Sequence, residues 1–85
     1  MKRLEINVTA RDIKYGTRGS WCACPVARAL HRHRECKGWW VHSLLLVSAD
    51  CQTAISTPGR ARLFMEAFDE GRPVEPFRFT LEMPT

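Results

Sequence analysis

A loop that runs directly into a Cys24-Pro25 pair is the feature that most constrains how this chain folds. Proline is favoured at the first position of a helix, because its missing N–H has no intrahelical partner there. The pair therefore predicts a helix over 25–34, preceded by a loop that contains Gly16 and Gly19. Backbone N–H groups at such a junction carry the positive end of the helix dipole and bind anions. Residues 16–28 are therefore a candidate site for an anionic ligand.

Alternating apolar and polar residues predict strands at both ends of the chain. Apolar side chains occupy every second position of 4–8 and again of 77–81, which is typical of strands with one buried face. Residues 39–47 and 51–56 are predicted as two further strands. Both faces of 39–47 carry large apolar side chains, so one face needs a cover that the rest of the chain does not supply. A homodimer is the simplest cover for it.

Capping and breaking residues predict the helices. Thr9 and Asp12 have the spacing of a capping box before one or two turns over 10–15. Thr57 is expected to cap a second main helix that begins at Pro58 and closes at Gly71. The order is then β-α-β-β-α-β, which predicts a single α+β domain over 1–85. We expect one four-stranded, mainly antiparallel sheet with two helices on one face, in a ferredoxin-like arrangement.

Charge is unevenly distributed along the sequence. Residues 1–42 hold nine Lys and Arg against three acidic residues, whereas residues 43–85 hold four against six. This difference predicts a basic surface that suits an acidic or polyanionic partner, although solvated side chains on an ordinary surface would give the same count. Arg28 and Arg32 lie four residues apart on the outward side of the helix predicted over 25–34.

The four cysteines suggest a disulfide, a metal site or a nucleophile. The first residues lack the apolar stretch of a secretory signal, so we expect a cytoplasmic protein without disulfides and without a membrane segment. A helix over 25–34 would separate Cys24 from Cys36 by more than roughly 10 Å, which disfavours one zinc site. A thiol at a helix start has a lowered pKa, but no residue pattern pairs it with a base. We therefore expect no metal, no cofactor and no enzymatic activity.

Three motifs resemble a group of small uncharacterised proteins of bacteriophages and prophages. They are GxRG at 16–19, CPVAxAL at 24–30 and FxxxFDxGxPVxPFxF at 64–79. The likeness spans most of the chain and implies a context rather than a chemistry. Small phage proteins of this size often bind host machinery, including defence systems.

Two functions remain open from the sequence. The first is a non-enzymatic protein that antagonises a host protein or complex through its basic surface. The second is a protein that sequesters a nucleotide signal, or binds nucleic acid, at the junction 16–28. The candidate binding residues are the same for the two functions and lie on the loop before Pro25 or on the helix predicted over 25–34. They are Arg18, Gly19, Ser20, Trp21, Arg28, His31 and Arg32.

Overall fold

A computed structural model describes residues 2–42 and 44–83 of the chain. It contains three α-helices, one short 3-10 helix and five strands within those residues. In chain order they are β1 (Lys2–Val8), α1 (Ala10–Tyr15), α2 (Pro25–His31), the 3-10 helix (Arg34–Cys36), β2 (Trp40–Val41), β3 (Leu45–Val47), β4 (Ala54–Ser56), α3 (Gly59–Asp69) and β5 (Phe77–Met83).

The protein is α+β, with two antiparallel sheets in the described residues. One sheet pairs β1 with β5 and the other has the order β2-β3-β4, so the prediction of one four-stranded, ferredoxin-like sheet was wrong. Two side chains that follow α2 occupy the outer edge of β1, where a further strand would pair. Arg32 Nη2 donates to the Asn7 carbonyl at 2.6 Å, and His33 Nε2 bonds to the Glu5 carbonyl at 2.9 Å.

The predicted strand over 39–47 is instead a tight hairpin of β2 and β3. The His42 N–H donates to the Leu45 carbonyl at 2.8 Å, which folds the chain back; Ser43 lies outside the described residues. Trp40 pairs with Val47, and Val41 pairs with Leu46. The second pair is buried, whereas Trp40 and Leu45 are exposed. An alternating apolar pattern fits a long strand and a hairpin equally well, because both keep a period of two.

Two of the three α-helices begin as the sequence predicted. Thr9 and Asp12 form the predicted capping box of α1, and α2 begins at Pro25. However, α2 ends at His31 rather than at 34. The predicted cap of α3 was also wrong, because the Thr57 hydroxyl donates to the His42 carbonyl and α3 begins without a side-chain cap. The predicted third strand at 51–56 is shorter, at Ala54–Ser56.

One hydrophobic core joins the helices and both sheets. The alternating residues of β1 and β5 face it as predicted, and the most buried large side chains are Ile6, Leu30, Leu46 and Leu81. Across 2–42 and 44–83, no helix has the length and apolar content that crossing a membrane requires.

Candidate binding surface

The polar groups of the loop between α1 and α2 bond to one another and to the end of α3. The Gly19 N–H donates to Oδ1 of Asp69 at 3.0 Å, and Gly19 adopts a positive φ of 72°. The Ser20 hydroxyl accepts the Ala23 N–H at 3.0 Å, and the Thr17 N–H donates to the Ala23 carbonyl at 2.7 Å. The predicted anion-binding amide of Gly19 is therefore occupied by a carboxylate of the protein itself.

The start of α2 is also capped from within. The Cys24 sulfur accepts the Ala27 N–H at 3.4 Å. Burial raises the pKa of the Cys24 thiol above its ordinary value, which is opposite to the lowering expected at a helix start. Burial, together with the nearby Glu35 carboxylate, raises the pKa of Cys36 to about 11. Both thiols stay protonated near neutral pH, which makes them poor nucleophiles.

Metal ligands are not gathered anywhere in the described part of the chain. No group of three or more His, Cys, Asp or Glu side chains lies close enough there to hold an ion. Cys24 and Cys36 are buried, whereas Cys22 and Cys51 are exposed.

A completely buried carboxylate organises the two arginines predicted for binding. Arg32 donates two hydrogen bonds to Asp12, from Nη1 to Oδ1 at 2.5 Å and from Nη2 to Oδ2 at 2.7 Å. Arg28 Nε lies 3.5 Å from the same Oδ1. Desolvation opposes ionisation of Asp12, but the hydrogen bonds from Arg32 and Thr9 outweigh it and hold its pKa below the ordinary value. Arg32 is therefore mainly a structural residue.

Arg28 is less completely engaged than Arg32. Its Nε is buried without a hydrogen-bond partner in the described structure, while its side chain as a whole is 38 % exposed. The guanidinium carbon lies 5.8 Å from the centre of the Tyr15 ring. Because the Nε is buried beside Asp12, only the exposed part of this side chain can contact a partner.

Three cations surround the exposed ring of Tyr15. Arg11 lies 6.0 Å and Lys14 5.4 Å from the ring centre, in addition to Arg28. Such distances are within the range of cation–π attraction. We call Arg11, Lys14, Tyr15, Arg28 and Arg32 the basic surface. Two of its four cations, Arg28 and Arg32, pair with the single buried carboxylate of Asp12, so the surface carries an excess of positive charge.

The other predicted binding residues lie apart from the basic surface. His31 bonds to the Trp39 carbonyl at 2.9 Å and has a structural role. The Arg18 guanidinium lies 6.0 Å from the centre of the Phe68 ring. Gly19, Ser20 and Trp21 line one cavity of about 150 Å³. Trp21 is exposed, with its ring 6.3 Å from that of Trp40.

Sequence reasoning missed Arg11, Lys14 and Tyr15 as parts of a surface. The pattern over 10–15 predicts only a capped helical turn, although Arg11 and Tyr15 have the i,i+4 spacing that places side chains together on a helix. That spacing was the available signal. The contribution of Arg28 to the same ring depends on how α1 packs against α2, which the sequence pattern does not encode.

No family model, curated protein or solved structure matches this chain.

Proposed function

We propose that this chain is a small, non-enzymatic binding protein of phage type that antagonises a component of its bacterial host. It acts in the host cytoplasm and meets an acidic region of a host protein or complex with the basic surface. The observation that carries the proposal is the group of Arg11, Lys14 and Arg28 around the exposed Tyr15 ring. The motif resemblance at 16–19, 24–30 and 64–79 supplies the phage context.

The basic surface has the features of a recognition site for anions. Positive charge concentrated on one side of a protein speeds association with an acidic partner and excludes basic ones. Tyr15 adds a rigid ring, 54 % exposed, of a type enriched at interface hot spots. Arg28, whose side chain is 38 % exposed, adds a guanidinium that can pair with a carboxylate of the partner.

Nucleic acid or a nucleotide is the alternative ligand. The loop 16–24 supports it weakly, because Asp69 occupies the Gly19 amide and Cys24 caps α2. The basic surface supports it better, since an exposed tyrosine beside cations is also suited to stacking a base near a phosphate. The two ligand classes differ in how binding depends on salt and on nuclease treatment. A zinc or cysteine-based activity has less support, because Cys24, which caps α2, and Cys36 are buried.

The test compares two charge-reversed variants. Arg11→Glu with Lys14→Glu changes the basic surface, and Arg60→Glu with Arg62→Glu makes the same charge change on exposed residues of α3. Tagged proteins are recovered from bacterial cells with and without nuclease, and retained host proteins are quantified. We expect a host protein that survives nuclease, is retained by the wild type and the α3 variant, and is reduced at least ~10-fold by the α1 variant.

Each other outcome has a clear meaning. Loss of the host component after nuclease treatment would favour the nucleic-acid alternative. In that case a labelled oligonucleotide should lose affinity steeply between about 50 and 200 mM salt, with a smaller salt slope in the α1 variant. Equal loss in both variants would show that net charge, rather than the basic surface, governs binding. Retention that neither variant changes would overturn the proposal.

A further inference from the structure

We propose that the outward face of the three-stranded sheet is where a second copy of this chain binds. This face is distinct from the basic surface and does not depend on the function proposed above. We call it the sheet face, and it consists of Trp21, Trp40, His42, Leu45, Val47, Ala54 and Ser56.

The strand register creates this face. Trp40 pairs with Val47, which pairs in turn with Ala54. Leu45 pairs with Ser56 on the same side of the sheet. Residues directly opposite one another in antiparallel strands project from the same face. The alternate residues Val41 and Leu46 point into the core and are buried, so this sheet has one covered side and one open side.

The open side is apolar to an unusual degree. Trp21 is 58 %, Trp40 48 % and Leu45 43 % exposed. Trp21 reaches this face from the loop, where its carbonyl accepts the Val41 N–H at 2.8 Å. The rings and side chains line a groove of about 260 Å³ together with Val47 and His42. Contiguous apolar patches of this kind mark interaction sites.

The extent of the patch fits a modest homodimer. Taking roughly 150–250 Å² for a large apolar side chain, the exposed fractions of Trp21, Trp40 and Leu45 amount to roughly 300 Å². A standard interface buries about 800 Å² on each partner. These three side chains therefore supply the apolar centre of an interface, which is well under half of the standard area, and the smaller residues of the face extend it. We expect association in the micromolar range.

Charge leaves the sheet face as a place where two copies can meet. The chain carries a net charge of +4, so two copies repel each other wherever their basic residues meet. The sheet face contains no Asp, Glu, Lys or Arg among its seven residues. A two-fold interface places the same patch on both sides, and an uncharged sheet surface is compatible with itself in face-to-face packing.

The test is the oligomeric state of the purified chain. Sedimentation velocity from about 1 to 200 μM should show a mass that approaches twice the 9.8 kDa of one chain. Leu45→Glu places two like charges in the contact and should raise the dissociation constant at least ~100-fold. Leu63→Glu is the matched control, because Leu63 is 63 % exposed on α3 and lies outside the sheet face.

Tryptophan fluorescence gives a second reading that does not depend on mass. Trp21 and Trp40 are exposed in one chain, whereas Trp39 is buried, so dimer formation should shift the emission to shorter wavelength as concentration rises. Trp40→Phe should reduce that shift without unfolding the chain. A wild type that stays at 9.8 kDa to about 200 μM would overturn the proposal. A folded Leu45→Glu protein that still dimerises would do the same, as would equal dissociation of Leu63→Glu.

Discussion

Among single residues, Asp12 makes the clearest contribution to the stability of the fold. Its side chain is completely buried and binds Arg32 through both oxygens, while Oδ2 also accepts the Thr9 N–H at 2.9 Å. Removing one member of a buried pair leaves the other uncompensated. Because Arg32 is half exposed to screening water, we expect Asp12→Asn to lower the free energy of unfolding by about 2 kcal/mol. Urea denaturation at neutral pH measures this loss.

The pH dependence of the free energy of unfolding shows whether Asp12→Asn destabilises the protein by removing a charge or by disturbing packing. The pKa of Asp12 is lowered from 3.8 in the folded protein, so its contribution is present above that value and is lost as pH falls through the lower folded pKa. The stability difference between wild type and Asp12→Asn should therefore narrow in acid. Glu66→Gln on the exposed side of α3 is the control, with a change within about 0.5 kcal/mol. A difference that stays constant down to the lowest pH would contradict this account.

At the scale of elements, α1 has only six residues and depends on its cap. The Thr9 hydroxyl accepts the Asp12 N–H at 3.2 Å. Thr9→Ala removes this bond and should cost about 1 kcal/mol of stability. Hydrogen exchange should quicken at the amides of Ile13 and Gly16, which bond within this turn. Thr17→Ala, an exposed threonine beyond the helix, should leave these amides unchanged. Equal exchange in both variants would show that the cap is unimportant.

The same element shows how far local sequence signals reach. The capping box of α1 and the start of α2 at Pro25 were predictable, because each depends on a few neighbouring residues. The division into two sheets was not predictable, because contacts between distant residues, such as those of Arg32 and His33 with the edge of β1, are not encoded in local patterns. The hairpin within 39–47 was missed because its alternation continues across the turn.

Some features of the candidate site could also be predicted from the sequence and others could not. Positive charge in residues 1–42 was visible in the sequence, and the structure brings Arg28 and Arg32 together as the helical spacing predicted. Their engagement with Asp12 was not visible, because the sequence suggested only a capping role for that carboxylate. The Gly19 N–H, which the sequence predicted to be free for an anion, donates instead to Asp69, which is 50 residues away in sequence. Local patterns identify donors, whereas tertiary packing determines their acceptors.

At the scale of the whole molecule, the basic surface and the sheet face use different residues and can act at once. A dimer formed through the sheet face would present two basic surfaces, so a partner with repeated acidic sites would be held by both. Linking two binding events in this way strengthens attachment by roughly 100-fold or more without any new contact. Dimer formation would then govern how strongly the chain holds an extended anionic partner.

This coupling can be measured with an anionic polymer fixed to a surface and a short anionic peptide free in solution. Leu45→Glu should dissociate from the polymer ~100-fold faster than the wild type, because a single chain holds at one point. Its affinity for the short peptide should equal that of the wild type, since the basic surface is unchanged. Arg11→Glu with Lys14→Glu should instead weaken both. Equal dissociation of Leu45→Glu and wild type from the polymer would mean that each chain binds alone.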